Sequence, residues 1–334
     1  MKIAELGEFG LIEYLTRNWS PGLVGDDAAW LPLPPGEQGP MLFTTDMMLE
    51  EVHFSRRFSS AYDIGWKAVA VNVSDIAAMG GEPWTAVISL GADSSWSVAE
   101  LEELYAGMQA AAEIYGVVLA GGDTVKSRQG LILNLALTGW QRGPQPLGRD
   151  RARPGQLLAV TGPLGASAAG LAWLQAGGEG DCATQVGEAV TLHRRPRAQL
   201  AAGRWLAERQ LATAANDISD GLAREVLEIC TASGVGCQVE ATAIPIHAGA
   251  RSIARTLGKD ALEWAFRGGE DFQLLFTCAE ADWHQIETGL TALGCQPARI
   301  GRITPPEQGM RLLTEKGPEP WPAGGYDHFT GGKE

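Results

Sequence analysis

The stretch Asp63–Pro83, D-I-G-W-K-A-V-A-V-N-V-S-D-I-A-A-M-G-G-E-P, decides how the rest of the chain is read. Ile64, Ala68, Val71, Ala78 and Met79 recur at helical spacing and Gly80-Gly81 followed by Pro83 supplies a stop, so the spacing predicts a helix over 63–79. The helix is apolar nearly all round, which predicts burial. Asn72 and Asp75 stand three residues apart and share a face. A carboxylate on a buried helix is costly unless donors or a cation meet it, and no Arg or Lys lies within one turn of Asp75 on that face. A metal ion is one such partner; capping of a neighbouring loop is the alternative.

Towards the N-terminus, Gly25-Asp26-Asp27-Ala28 places two carboxylates behind a glycine turn. Met41 to Thr45 reads as a strand ending in Thr44-Thr45-Asp46, all hard oxygen donors of the kind Mg²⁺ accepts. His53 follows, and a lone histidine there is more often structural than catalytic. Towards the C-terminus, Trp84–Leu90 and Leu131–Trp140 read as strands and Val98–Tyr115 as a helix. Val117–Ala120 reads as a short strand running into a turn, Gly121-Gly122-Asp123-Thr124, where two glycines admit a phosphate and the Asp holds its metal; a plain turn is the alternative.

The segment 142–154, R-G-P-Q-P-L-G-R-D-R-A-R-P, is rich in Pro, Gly and Arg and marks a candidate boundary between domains 1–148 and 149–334. Beyond it, a strand over 157–161, the turn Thr161–Ser167 and a helix over 168–174 outline a phosphate site. A helix is expected over 193–206. Asn216-Asp217-Ile218-Ser219-Asp220-Gly221 then sets two acids at the start of a helix over 222–231, and Gly268-Gly269-Glu270-Asp271 precedes a strand over 272–277. The chain is expected to close with an aromatic, glycine-rich tail, Trp321 to Phe329, folded back onto the protein.

A chain of 334 residues with 45% hydrophobic content accommodates two ordinary cores. Forty acidic against 26 basic residues give a net charge of -14, which argues against a nucleic-acid surface. Five scattered cysteines without a C-x-x-C pair indicate neither a disulfide framework nor a zinc knuckle. No apolar run approaches spanning length, so a soluble, cytoplasmic protein is expected, with no membrane partner. P-loop, dinucleotide, zinc-protease and G-x-S-x-G motifs are absent. Five acidic sites remain, at Asp26-Asp27, Asp46, Asp75, Asp123 and Asp217 with Asp220; such an assembly calls for several divalent ions, and glycine-lined loops beside them call for phosphates.

These motifs together resemble thiamine-monophosphate kinases. G-D-D-A at 25–28, T-T-D at 44–46, V-H-F at 52–54, K-A-V-A-V-N-V-S-D-I-A-A-M-G at 67–80, G-G-D-T at 121–124, D-I-S-D-G-L at 217–222, G-G-E-D-F at 268–272 and G-Y-D-H-F at 325–329 carry the resemblance over nearly the whole chain. The early motifs are shared, more loosely, with aminoimidazole ribonucleotide synthetase, selenophosphate synthetase and a hydrogenase maturation dehydratase. A related synthetase with another acceptor is the runner-up, and a nucleotide sensor that binds Mg-ATP without turnover is the non-enzymatic alternative.

The resemblance implies a two-domain α/β protein of the aminoimidazole ribonucleotide synthetase-like fold. Its N-terminal sheet would form a barrel across a homodimer, with ATP in the cleft completed by the C-terminal α/β domain. It implies Asp27, Thr44, Thr45, Asp46, Asp75, Asp123, Asp217 and Asp220 as ligands of several Mg²⁺ ions. Tyr105, Gly122, Asp123, Arg149 and Ser219 would contact ATP, while His53, Glu270 and Tyr326 would hold thiamine monophosphate. Catalysis would be metal-assisted through Asp46, Asp75 and Asp123, with no classical acid or base. Three departures fall near the acceptor: Glu51 where the family often has Gly, Arg267 before G-G-E-D, and Gln273 for a common Glu.

Overall fold

A computed structural model describes residues 29–32, 40–178 and 184–322. The N-terminal half forms a five-stranded sheet in the order β1-β2-β5-β3-β4. Its strands are β1 (Ala29–Pro32), β2 (Pro40–Leu49), β3 (Gly81–Ala92), β4 (Val118–Lys126) and β5 (Ile132–Gln141). Only β3 and β4 run parallel. Strand alternation turns Leu42, Thr44 and Met48 of β2, Ala86, Ile88 and Leu90 of β3, and Leu133, Leu135 and Leu137 of β5 towards one face. Helices α1 (Ala61–Ala78) and α2 (Val98–Tyr115) cover that face, both started by Ser capping boxes, Ser60 with Asp63 and Ser97 with Glu100.

The C-terminal half is a seven-stranded mixed sheet, β12-β11-β8-β10-β6-β9-β7. Its strands are β6 (Leu157–Val160), β7 (Ala214–Asp217), β8 (Gly236–Glu240), β9 (Leu274–Cys278), β10 (Ala298–Thr304), β11 (Met310–Thr314) and β12 (Gly317–Pro320). The helices used below are α3 (Ala166–Gln175), α4 (Gln185–Arg194), α5 (Leu200–Glu208) and α6 (Leu222–Ser233). No helix among the described residues is long and apolar enough to cross a membrane.

Helix α1 explains its own composition. One side packs into the N-terminal core through Ile64, Val69, Val73 and Ile76, while Ala77 and Ala78 meet Leu274 of the C-terminal half. A helix serving two cores must be apolar nearly all round. A Cβ on Gly203 of α5 would lie 1.9 Å from the Ala77 carbonyl oxygen, so the second contact is backbone against helix.

Several expectations need correction. Asp46 lies within β2, not at a strand end, because pairing with β5 continues to Leu49↔Ile132. Gly121-Gly122-Asp123-Thr124 is not a turn but part of β4: the register with β3 shifts at Ala86/Val87, and a Cβ on Gly122 would meet the Ile88 carbonyl oxygen at 1.9 Å. The glycines therefore answer to strand pairing. The helix expected over 193–206 is two, α4 and α5, because Pro196 forces Arg195 out of helical geometry. Phe272 precedes β9 in a left-handed conformation, φ 47°.

Candidate active site

A cleft of about 650 Å³ opens between the two halves. Lys67, Val71 and Asp75 recur every four residues along α1 and line it as one stripe. Facing them are two C-terminal loops, 217–221 and 268–272, joined by a backbone ladder: Glu270 N donates to Ser219 O at 2.7 Å, Phe272 N to Ile218 O at 2.9 Å and Ile218 N to Gln273 O at 2.8 Å. A Cβ on Gly269 would meet the Ser219 carbonyl oxygen at 2.4 Å, so the glycine permits the approach.

Asp46, Asp75, Asp217, Ser219 and Asp220 all border the cleft. Two of the carboxylates are fixed by hydroxyls: Thr44 Oγ1 donates to Asp75 Oδ2 at 2.5 Å, and Ser74 Oγ donates across the domain boundary to Asp217 Oδ2 at 2.6 Å. Among the described residues, no three His, Cys, Asp or Glu side chains stand close enough to hold an ion by themselves. Hard carboxylate oxygens arrayed singly along a cleft nevertheless suit Mg²⁺, which is commonly held by one or two carboxylates together with substrate phosphates.

Thr45 projects from the opposite face of β2, where its hydroxyl donates to Leu135 O and Asn134 Oδ1, so its side chain is not with the cleft carboxylates. Asn72 is fully buried and its Nδ2 donates to Ala68 O, whereas Asp75 borders the cleft. Gly122 and Asp123 lie on the exposed edge strand β4, Tyr105 is 41% exposed on α2, and Arg149 is bound to Glu228 at 3.0 Å; none of the four lines the cleft. Asp27 and Tyr326 lie outside the described residues.

His53 and Glu270 line the same cleft. The His53 Nδ1 accepts from Leu49 N at 3.0 Å, fixing the ring on the turn after β2. The Lys67 ammonium, 3% exposed, lies 2.7 Å from Glu270 Oε2. Burial pushes the Glu270 carboxyl up, but the charge and hydrogen bond of Lys67 outweigh it and hold the group below its ordinary range. His193 is pushed down to about 3 by burial and by Lys67, so it is neutral, and its Nδ1 lies 3.0 Å from Ser167 Oγ.

The supporting groups escaped the sequence reading. The start of α3, read as an outline phosphate site, is occupied by the chain's own Asp271, which accepts from Gly165 N at 2.6 Å and Ser167 N at 3.2 Å. Burial pushes this carboxyl up to about 7 against those donors. Glu225, 2% exposed, accepts from Asn216 Nδ2 and from Asp220 N at 3.0 Å, and burial raises it well above its ordinary value. Its position one turn into α6 was the available signal, since a Glu there reaches back to a helix start. Lys67 had no such signal.

Models of the AIR synthase related proteins match residues 25–141 with their N-terminal domain and residues 153–311 with their C-terminal domain. A thiamine-monophosphate kinase of Bacillus subtilis (strain 168) is 36% identical over 308 residues, 92% of this chain and 93% of its own. That of Aquifex aeolicus (strain VF5) is 35% identical over 332 residues, 98% of this chain and 100% of its own. The solved structure of AaThiL complexed with AMPPCP and TMP is similar with a TM-score of 0.87 at 32% identity, over 98% of this chain and 99% of that one. The hydrogenase maturation protein HypE shares the fold, with a TM-score of 0.70 at 23% identity over 94% of this chain and 95% of its own.

Proposed function

Since this chain belongs to the thiamine-monophosphate kinases of the AIR synthase related family, we propose how its cleft carries out the ATP-dependent phosphorylation of thiamine monophosphate to thiamine diphosphate. The observation that carries the reading is the convergence of Asp46, Asp75, Asp217 and Asp220 with His53 and the Lys67–Glu270 pair on one interdomain cleft.

An oxygen of the acceptor phosphate attacks the γ-phosphorus of ATP in line, a new P–O–P bond forms, and the bond to the bridging oxygen of ADP breaks. The acceptor phosphate has a second pKa of about 6 and is largely ionised at neutral pH, so no general base is needed. Asp46, Asp75, Asp217 and Asp220, with Thr44 steadying Asp75 and Ser74 steadying Asp217, would hold Mg²⁺ here. Bound Mg²⁺ supplies neutralisation of charge between two anionic groups. On this reading His53 and Glu270, which line the cleft, would border the acceptor, and Ser219, which also lines it, the nucleotide. Asp27 and Tyr326 retain their family roles as part of this reading.

Phe43, Met47, Val87 and Val125 stand exposed on the outer face and edge of the N-terminal sheet, which supports pairing of two N-terminal sheets into a barrel across a homodimer. On this reading Tyr105, Gly122 and Asp123 complete a nucleotide site with the help of the second copy, and Arg149 exchanges Glu228 for phosphate. The family models break between residues 141 and 153, which supports a boundary at 148/149.

The test is a coupled assay with ATP, Mg²⁺ and thiamine monophosphate, reading thiamine diphosphate by thiochrome fluorescence, with free thiamine as a parallel acceptor. Diphosphate from the monophosphate alone is expected, and loss of at least a hundredfold in turnover for Asp75→Asn. Turnover within a few-fold of wild type for that variant at saturating Mg²⁺ overturns the metal assignment.

A further inference from the structure

Among the described residues, four other than glycine adopt left-handed backbone: Glu51 (φ 63°), Gln210 (φ 56°), Glu270 (φ 66°) and Phe272 (φ 47°). Glu51, Glu270 and Phe272 all line the same cleft. Such conformations are unfavourable for residues with a Cβ and persist where the surroundings or the function require them. Glu270 and Phe272 are held by the backbone ladder to loop 217–221. Glu51 sits in the tight turn after β2, where Glu51 N donates to Phe54 O at 2.8 Å and His53 N to Leu49 O at 2.9 Å. Glycine would form that turn without strain.

The side chain of Glu51 is not explained by packing. Its neighbour Glu50 is a structural group, its Oε2 accepting from Trp96 Nε1 at 3.0 Å and Leu131 N at 2.8 Å. Glu51 is exposed to the cleft and, among the described residues, meets one donor, Ser55 Oγ at 2.9 Å, and no cation. The charge on Glu270, by contrast, is already balanced by buried Lys67. Arg267, another cleft residue, is paired with Glu263 at 2.9 Å. Val52, Phe54 and Phe58 share the cleft lining with Glu51, alongside His53 and Ser55, and the Arg57 guanidinium lies 5.4 Å from the Phe58 ring centroid without pairing with Glu51.

A carboxylate with no cation paired to it, in a cleft that also presents aromatic side chains, suits a flat, positively charged ring. Thiamine monophosphate carries one, its thiazolium. We propose that Glu51 is a specificity-determining residue for the acceptor, supplying the counter-charge to the cationic heteroaromatic ring while the Asp side chains and metal deal with phosphate. The inference rests on thiamine monophosphate being the acceptor.

Steady-state kinetics of full-length wild type, Glu51→Gln and Glu51→Gly test it, together with thermal midpoints. Glu51→Gln keeps the shape and removes the charge; its KM for thiamine monophosphate is expected to rise roughly fivefold, the size of an accessible charge pair, with kcat and the KM for ATP moving less than about twofold. Glu51→Gly is expected to share the rise in KM while its thermal midpoint stays level or increases, because the left-handed turn is relieved. Glu51→Asp is expected to restore part of the affinity. An unchanged acceptor KM in Glu51→Gln overturns the proposal, as does an equal rise in the KM for ATP. A fall of several degrees in the midpoint of Glu51→Gly assigns the residue a structural role instead. A wild-type enzyme without turnover of thiamine monophosphate overturns the functional reading itself, whereas active wild type beside an indifferent Glu51→Gln overturns only this inference.

Discussion

The Lys67 ammonium on α1 lies 2.7 Å from the Glu270 carboxylate in the loop before β9, so one ion pair ties the N-terminal half to the C-terminal half at the floor of the cleft. Lys67 is 3% exposed and Glu270 28%, and removing one partner leaves the other partly buried and uncompensated. Lys67→Met is expected to cost ~2–3 kcal/mol, discounted from a fully buried pair because Glu270 keeps some water. Glu270→Gln combined with Lys67→Met is expected to cost less than Lys67→Met alone. Urea denaturation of the double-mutant cycle checks this; strict additivity would show that the pair is uncoupled.

The same pair sets an acid limit. Glu270 is held below its ordinary value in the folded protein, so its contribution is fully present above the unfolded carboxyl pKa and is lost as pH falls through the folded one. Thermal midpoints recorded downward from about pH 5 are expected to fall more steeply for wild type than for Glu270→Gln. Parallel curves would remove Glu270 from the acid transition.

His193 works over a higher window. It is pushed down to about 3 by burial and by the charges of Lys67 and Arg194, against about 6.5 in an unfolded chain. Between those values the unfolded state binds the extra proton, so stability rises with pH from about 3 to 6.5. His193→Gln is expected to flatten that rise, and the turnover of wild type is expected to show no titration from this ring between about pH 5 and 8. Midpoints of both proteins at intervals from pH 4 to 7 decide it; an equal slope in the variant refutes the assignment.

Helix α1 and its carboxylate were legible because helical periodicity and a buried charge are local signals, carried within Asp63–Pro83. Asp46, read as an oxygen donor at a strand end, and Asp217 and Ser219, read at a helix start, all line the cleft, although Asp46 does so from within β2. The Lys67–Glu270 pair was not legible, since its partners stand 203 residues apart and neither has a neighbour that announces the other. Gly121-Gly122 misled because a glycine pair signals a turn, yet the bulge and close strand contact of β4 demand the same residues. Thr45 misled because a motif read as a unit ignores strand alternation, which sends Thr45 to the face opposite Thr44.

Glu225 is expected to act on the site through Asn216 and Asp220. Its raised pKa favours the protonated form, and Asn216 Oδ1 has no partner among the described residues, so a glutamine accompanied by an Asn216 flip keeps the bonds. Glu225→Gln is therefore expected to stay within about 1 kcal/mol of wild type, whereas Glu225→Ala leaves buried donors unpaired and costs ~2–3 kcal/mol. The alanine variant should also need several-fold more Mg²⁺ for half-maximal turnover, because the backbone carrying Asp217 and Asp220 loosens. An unchanged Mg²⁺ requirement would confine Glu225 to stability.

The position of the α1 stripe depends in turn on how closely α1 crosses α2. A Cβ on Gly65 would lie 1.9 Å from the Leu104 carbonyl oxygen, and one on Gly107 would lie 2.0 Å from that of Tyr62, so the two glycines face each other's helix reciprocally. The neighbours are backbone and cannot rotate away; Gly107→Ala must push the helices apart, at ~1–3 kcal/mol. Because Lys67, Val71 and Asp75 ride on α1, the shift reaches the cleft, and a misplacement of that kind is expected to lower kcat/KM by roughly tenfold or more. Gly116→Ala is the matching control: it has open space around it but φ 73°, so it is expected to cost ~1 kcal/mol of stability and leave turnover intact. Equal effects of the two substitutions on kcat/KM would break the link between helix spacing and the site.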